Sequence, residues 1–326
     1  MDILINKIST PIKLEMKSFD KFFKDNLRSD VKLINTVINY LCKIKGKQFR
    51  TTLCLLCSNL SGKKTNNFSY LSAATVEMLH IATLLHDDVV DDSDVRRGWP
   101  TINAIWKNKI SILVGDYMFS KALINISQFN NLECINVLAS ISKRLSEGEI
   151  IQIEKAINKS MNEDTYFKMI SDKTASLISA SCFLGFYSNN NDEGLGESIK
   201  KFGEYLGIAY QIKDDIFDII GNIKDTGKSS DLDLKKNMLT LPYIYSISQL
   251  DKKSRRSLLI KIRKIKSKED IIEIKNTIER FGGIEYSKKK LFEYSDKARY
   301  ELSKFPNSKY KEALEIAIDF NINRKY

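Results

Sequence analysis

"TLLHDDVVDDSDVRRGWPT", residues 83–101, sets five aspartates (Asp87, Asp88, Asp91, Asp92 and Asp94) within eight positions at the end of an apolar helical run, and follows them with Arg96 and Arg97. Asp87 and Asp91 are four apart, one turn along the same face of a helix, and Asp88 lies about 100° round from Asp87. Like charges at that spacing destabilise a helix, so water or cations have to offset the repulsion. An isolated D-D-x-x-D reads as an acidic helix end. A second copy, Asp214, Asp215 and Asp218 in "YQIKDDIFDII" (residues 210–220), argues against that reading, because it too lies inside an apolar helical run. If the two helices face each other, the clusters line one acidic cavity.

The rest of the chain supports an all-α fold. Its 326 residues contain 43% hydrophobic and 10% aromatic residues, enough for a substantial core, and only 4 Pro and 14 Gly to interrupt helices. Apolar positions recur at three-and-four spacing through residues 31–60, 69–92, 108–126, 132–156, 165–188, 197–221, 238–249, 254–264 and 269–280. Polar clusters such as "SGKKTNNFS" and "NIKDTGKSSDLDLKKN" separate them. With no alternating strand pattern, tandem repeat or Pro/Gly-rich linker, the expectation is one helical bundle spanning residues 1–326 around a central acid-lined cavity.

Other features narrow the function. The five cysteines (Cys42, Cys54, Cys57, Cys134 and Cys182) include a C-x-x-C at 54–57, but with no second pair or nearby histidine they read as core packing. The N-terminal stretch has no signal-peptide pattern and no run of 18 apolar residues occurs, so a reduced, cytoplasmic location is expected. The net charge of +11 suits anionic partners, although the lysines at 252–268 read as an ordinary solvated helix face. No recognised nucleic-acid-binding pattern is present, and no nucleic acid is expected as a partner.

Two carboxylate clusters suit hard Mg²⁺, which takes few carboxylates and completes its octahedron with water and phosphate oxygens. Arg96, Arg97, Lys173 in "SDKTASLI" and Lys228 in "DTGKSS" are candidates to grip the remaining phosphate oxygens, which points to a diphosphate. No Walker-type G-x-x-x-x-G-K-[ST] occurs, so the pattern is not that of a P-loop nucleotide site.

Taken in order, "KGKQFR" (45–50), "VEMLHIATLLHDDVVDDSDVRRG" (76–98), "ILVGDYMFSKA" (112–122), "EGEIIQIE" (147–154), "KTASLISA" (173–180) and "YQIKDDIFDIIGNIKDTGK" (210–228) resemble the trans-isoprenyl diphosphate synthases, and within them the bacterial long-chain, octaprenyl-like class. The resemblance implies a prenyltransferase that adds isopentenyl diphosphate repeatedly to an allylic primer such as farnesyl diphosphate, supplying a quinone side chain. It implies metal ligation by Asp87, Asp91 and Asp214, with Asp88, Asp215 and Asp218 in or near the coordination shell. Arg96, Lys173, Thr174, Gln211 and Lys228 fall at allylic-diphosphate positions, and Lys47, Arg50, His80 and Arg97 at isopentenyl-diphosphate positions. His86, the second of the chain's two histidines, reads as packing. A homodimer, with transient membrane contact for release of the lipid product, is expected by the same resemblance.

Product length is read from the positions below the first motif. Short-chain members of the family close the tunnel with an aromatic four or five residues before the first aspartate. Here these positions are Thr83 and Ala82, so a long product is expected, with Met118, Phe119 and Leu123 as candidates for the floor. Two departures stand out. The family's G-x-D-L-x-x-G-K-x-T-L-P reads "DLDLKKNMLTLP", with Asp231, Asn237 and Met238 in place of two glycines and a lysine, and Thr51 stands where proline is common. With both metal motifs intact activity is expected, and the first departure points to a reduced level. Two other readings compete with a synthase: a class I terpene cyclase, disfavoured because the second motif is D-D-I-F-D, and a non-catalytic subunit of a heteromeric synthase, disfavoured because both aspartate motifs are intact.

Overall fold

A computed structural model describes residues 7–44, 46–96, 98–158, 160–220, 238–265 and 267–324. In chain order the helices are α1 (Lys13–Asn26), α2 (Lys32–Lys43), α3 (Phe49–Ser58), α4 (Asn67–Val90), α5 (Ile102–Ser127), α6 (Leu132–Asn158), α7 (Glu163–Ile170), α8 (Ser176–Tyr187), α9 (Glu193–Ile220), α10 (Leu241–Ser248), α11 (Lys252–Arg263), α12 (Lys268–Arg280), α13 (Gly283–Ser303) and α14 (Lys309–Asn323). A π-helical turn, Ser171–Ala175, joins α7 to α8. The fold is all-α, as the periodicity predicts. A small antiparallel hairpin, β1 (Val95–Arg96) and β2 (Trp99–Pro100), sets Val95 opposite Pro100 and Arg96 opposite Trp99.

The first aspartate motif rides on α4, and local chemistry fixes where that helix begins. The Asn66 side chain accepts from the Ser69 amide while the Ser69 hydroxyl accepts from the Asn66 amide, a reciprocal capping box. From Ser69 to Leu79 almost every residue is buried except Tyr70, so α4 is an interior helix and not an amphipathic surface one. By length and composition α4 is apolar enough to cross a membrane, yet 67% of its apolar window is buried inside the protein. It lies along α5, α3 and α8, while α9 packs on α8 and α13.

Three buried clusters hold these layers together. The first joins α3, α4, α5, α8 and α9 through residues such as Leu55, Met78, Met118, Ile178 and Phe202. The second wraps α7 and α9 with α10–α13 around Tyr166, Ile212, Leu241, Ile274 and Leu291. The third seats α6 on α4 and α8 through Leu79, Leu138 and Leu184. Cys54, Cys57 and Cys182 are fully buried where α3 meets α8, and burial pushes the Cys54 and Cys57 thiols well above their usual range. All five cysteines are free, in keeping with the packing role expected of the C-x-x-C.

The structure departs from the periodicity in several places. The run 31–60 divides into α2 and α3, with Gln48 at φ 49° standing before α3. The run 165–188 is interrupted by the π turn, whose extra residue leaves no trace in a 3.6-residue pattern. Helix α5 carries a non-helical residue at Lys107 (φ 71°), so its regular part starts at the expected 108. The helices α1, α13 and α14 lie outside the predicted segments.

The contact between α3 and α8 depends on Gly185, where a Cβ would land inside the contact distance of the Cys54 carbonyl oxygen. Backbone presses on backbone there, so no side chain can move aside. Gly185→Ala is expected to lower unfolding free energy by about 1–3 kcal/mol or more, as overpacking does. Urea denaturation checks this, and an unchanged midpoint would contradict the packing described.

Candidate active site

The last turns of α4 separate the first three aspartates by role. Asp88 is 4% exposed, and one of its carboxylate oxygens accepts from Arg96 Nε at 2.9 Å and pairs with Arg96 Nη2 at 2.8 Å. Its backbone carbonyl accepts from the Ser93 amide at 2.9 Å. Asp88 therefore fastens the β1–β2 hairpin to α4 and holds Arg96 where its charge acts on Asp87. Asp87, one residue earlier, lies about 100° round the helix, in the field of Glu149 and Lys173. Burial raises its carboxyl from an ordinary 3.8 to about 6, the charge of Glu149 adds to the rise, and Lys173 and Arg96 oppose it. Asp91 is the C-cap residue of α4 and donates its amide to the Asp87 carbonyl at 2.8 Å.

The same division recurs on α9. Asp215, the second aspartate of its motif, is also 4% exposed. It accepts from the Tyr166 hydroxyl at 2.6 Å and from Gln211 Nε2 at 2.9 Å, and the Gln211 carbonyl oxygen accepts from Thr174 Oγ1 at 2.9 Å. Burial holds the Asp215 carboxyl well above its usual range against the pull of these hydrogen bonds. Asp214 and Asp218 are only partly buried. Asp214 pairs with Arg324 Nη2 at 2.5 Å, and the Arg324 guanidinium lies 4.1 Å from the Tyr210 ring centroid while donating to the Tyr210 carbonyl. Lys213 donates to the Ile322 carbonyl at 2.8 Å, a second tie between α9 and the end of α14.

Lys173 connects the two halves. Its ammonium pairs with Glu149 of α6, donates to Gln152 Oε1 at 3.1 Å and lies in the field of Asp87, while its neighbour Thr174 reaches the α9 network. Of the residues expected to meet isopentenyl diphosphate, Arg50 in the first turn of α3 and His80 of α4 are together, with Arg50 Nη1 and His80 Nε2 3.3 Å apart. Lys47 is exposed in the loop before α3. Arg97, Lys228 and the whole altered stretch "DLDLKKN" lie outside the described residues; Met238 is described and half-buried. Thr51 is buried and donates to Glu77 Oε2 at 2.9 Å, a bond to a buried carboxylate that proline could not make. His86 packs against α5 at Gly115, 3.4 Å from Asp116.

Among the tunnel residues, Ala82 and Met118 are fully buried in the same core cluster, Phe119 packs against it and Thr83 is half-buried, donating its hydroxyl to the His80 carbonyl. Leu123, five residues beyond Met118 on α5, is 43% exposed and stands outside that buried cluster. Sequence reasoning passed over Glu149 and Gln152, which lie in the quoted "EGEIIQIE" but were given no role. Tyr166 and Arg324 sit 49 and 110 residues from the aspartates they touch, beyond any local signal.

Among the described residues no three His, Cys, Asp or Glu side chains already converge as a metal-ligating set. The donor chemistry still fits Mg²⁺. The groups are all carboxylates, Asp87 is under-compensated for its charge, and such an ion needs only one or two protein oxygens when phosphate supplies the others.

Comparison with known proteins agrees with this layout. Residues 31–280 match the polyprenyl synthetase family. The chain is 33% identical over 307 residues, 94% of its length, to heptaprenyl diphosphate synthase component 2 of Bacillus subtilis, of which 87% is covered. Its fold superposes on a decaprenyl diphosphate synthase from Rhodobacter capsulatus with a TM-score of 0.91 at 31% identity, covering 98% of each chain. A polyprenyl synthase from Caulobacter crescentus, solved with calcium and isoprenyl diphosphate, gives a TM-score of 0.90 at 29% identity over 99% of this chain and 98% of that one. The all-helical isoprenoid synthase fold thus defines the class, and the enzyme is a prenyltransferase. The chain belongs to the polyprenyl synthetase family of trans-isoprenyl diphosphate synthases.

Asp87 gives a pH-dependent test. Its carboxyl is protonated more readily in the folded chain than in the unfolded one, so its contribution to stability falls as pH rises from about 4 to about 6 and stays at its lowest above that. Asp87→Asn should leave metal-free stability nearly unchanged at pH 4. It should raise it at pH 8 by up to about 3 kcal/mol, the linkage cost of moving a carboxyl from 3.8 to about 6. Thermal melts in chelator across that range check this, and a gap that does not widen with pH contradicts it.

Proposed function

We propose that this polyprenyl diphosphate synthase is a long-chain all-trans enzyme that condenses isopentenyl diphosphate successively onto an allylic diphosphate such as farnesyl diphosphate, with Mg²⁺ bound between the aspartate motifs. The observation that carries the reading is the division within each motif, where a buried second aspartate is committed to protein partners while the first and last keep solvent exposure. Asp87, Asp91 and Asp214 would hold the metal ions, with Asp218 beside them. Bound Mg²⁺ neutralises the diphosphate and so favours its departure from the allylic carbon.

The chain's own groups do the remaining work. Arg96, fixed by Asp88, and Lys173, held by Glu149 and Gln152, present cations to the allylic diphosphate. Thr174 and Gln211, braced by Asp215 and Tyr166, orient hydrogen bonds at the same place. Lys47, Arg50 and His80 would receive isopentenyl diphosphate, with Arg97 and Lys228 joining the two anion sets by family position. The double bond of isopentenyl diphosphate attacks the allylic carbon as diphosphate leaves, and a proton lost to the released diphosphate restores the alkene one isoprene unit longer.

Two further readings follow. Ala82 sets no bulky side chain below Asp87, and Met118 lies in the same buried cluster with Phe119 packed against it, which supports a long product of the kind that serves as a quinone side chain. Helix α5 exposes Ile105, Ile112, Leu113, Leu123 and Ile124, an apolar stripe in water that supports a homodimer packed through this helix. Light scattering should give twice the chain mass, and a monomer that dimerises only with a different chain would replace that reading with a heteromer.

The deciding experiment incubates the purified protein with isopentenyl diphosphate, farnesyl diphosphate and Mg²⁺ and chromatographs the dephosphorylated products. A Mg²⁺-dependent ladder ending in a long polyprenol is expected; a folded protein that elongates nothing would overturn the reading. Asp87→Ala and Asp214→Ala should each cut turnover by orders of magnitude, as loss of charge stabilisation at the reacting centre does. Ala82→Phe should keep the first condensation and shorten the ladder, and an unchanged product would refute the tunnel assignment.

A further inference from the structure

The π turn Ser171–Ala175 interrupts an otherwise continuous α7–α8 helix at the residues that carry Lys173 and Thr174. One residue too many is packed into that turn, a local conformation that does not persist unless its surroundings hold it. What holds it is visible on both sides. On α6, a Cβ at Gly148 would lie 2.8 Å from the Lys173 amide nitrogen, and on α9 a Cβ at Gly207 would lie 2.5 Å from Ala175 Cα. The widened turn is thus cradled between two glycine faces.

A charged clamp closes over its first half. Arg144 of α6 donates Nε to Asp172 Oδ1 at 2.7 Å and Nη2 to Ser171 Oγ at 2.7 Å. The same guanidinium grips Glu204 of α9 with both terminal nitrogens, at 2.7 and 3.3 Å. The Ser171 hydroxyl donates to Glu204 as well, and Lys168 reaches the second oxygen of Asp172 at 2.8 Å. Asp172 is buried, and the hydrogen bonds and charges of Glu204 and Asp172 hold Arg144 in its protonated form against the cost of burial. Lys173 and Thr174, immediately after the clamped pair, are the residues whose side chains reach Glu149, Gln152 and Gln211.

We propose that Arg144 and Glu204 are positioning residues for the allylic diphosphate: by fastening Ser171 and Asp172 to α6 and α9 they keep the turn in its π register, which is what points Lys173 and Thr174 into the cavity. A one-residue relaxation to α register would rotate these side chains by about 100° about the helix axis. The inference rests on the diphosphate-binding role proposed above for Lys173 and Thr174.

Two variants test it. Glu204→Gln removes one charge from the clamp, and Arg144→Lys keeps the charge but cannot bridge three groups at once. Each should raise KM for farnesyl diphosphate and lower kcat by about ten-fold, since small misplacements of catalytic groups are costly, and leave KM for isopentenyl diphosphate within about two-fold. In a Lys173→Ala background, Glu204→Gln should cost clearly less than in the wild type, because one of the two groups it positions is already gone. Ser171→Ala, a milder change for the case in which the charge variants fold poorly, should move the same two constants in the same direction by a smaller factor. Calorimetry with Mg²⁺ and inorganic diphosphate gives a readout without turnover and should show the same weakening.

A clamp that merely stabilises the fold would lower the melting temperature and leave both KM values unchanged in the folded fraction, and that result overturns the proposal. So does a Glu204→Gln effect of equal size with and without Lys173. Failure of the wild-type protein to elongate any primer would instead overturn the proposed function, so the two failures are distinguishable.

Discussion

The structure depends on keeping carboxylates where electrostatics disfavours them. Asp87, Asp88 and Asp91 crowd the C-terminal end of α4, where unsatisfied carbonyls already give a partial negative charge, and α4 is an interior helix that removes water from around Asp88 and part of Asp87. Burial and neighbouring charge act together on Asp87, which is why its carboxyl rises to about 6. A chain folding for stability alone would place polar or basic residues there. Cations are the only groups that relieve all three costs, and the surrounding helices bring them in one at a time. Arg96 comes on the hairpin to Asp88, Lys173 on the π turn to the space between Asp87 and Glu149, and Arg324 at the end of α14 to Asp214.

This compensation separates aspartates that look alike in sequence. A residue about 100° round a helix from its neighbour faces a different environment, and in both motifs the second aspartate turns toward protein while the first and last stay at the rim. Asp88 and Asp215 act as anchors, one for a hairpin and one for a glutamine and a tyrosine. Each anchor orders a group that reaches back to the cavity, Arg96 in one case and Gln211 with Thr174 in the other. Cations and hydrogen-bond donors are thereby fixed in place by carboxylates, which spares their loss of side-chain freedom when an anion binds.

Much of this was legible in the sequence because it is local. Three-and-four periodicity located α4 through α9, the repeated D-D-x-x-D marked the ends of α4 and α9 as acidic, and the 100° step of a helix separated Asp88 from Asp87. What was missed is either non-local or too short to have a period. The π turn adds one residue within "SDKTA", which reads as ordinary helix, and a hairpin with two-residue strands cannot show alternation. Tyr166 and Arg324 find their aspartates only through tertiary packing, and the same holds for Thr51, whose hydroxyl satisfies Glu77 from another helix. Three-and-four spacing marks Leu123 as apolar but does not say whether its face meets the core or solvent, and it falls on the exposed stripe of α5.

The pairing of Lys173 with Glu149 bears on how the proposed chemistry can be fast. An ammonium that entered a dry site only with its substrate would have to shed water at that moment, and the dielectric reorganisation would add to the barrier. Here Lys173 is already largely out of water, held by a carboxylate and by Gln152. An arriving diphosphate exchanges one anionic partner for another, so desolvation of the lysine has been met during folding. Glu149 then lies beside Asp87 without its lysine, and two adjacent carboxylates facing a diphosphate strengthen the local demand for divalent cations. Under the proposed function, anion binding and metal binding would be coupled by that exchange, each making the other more favourable.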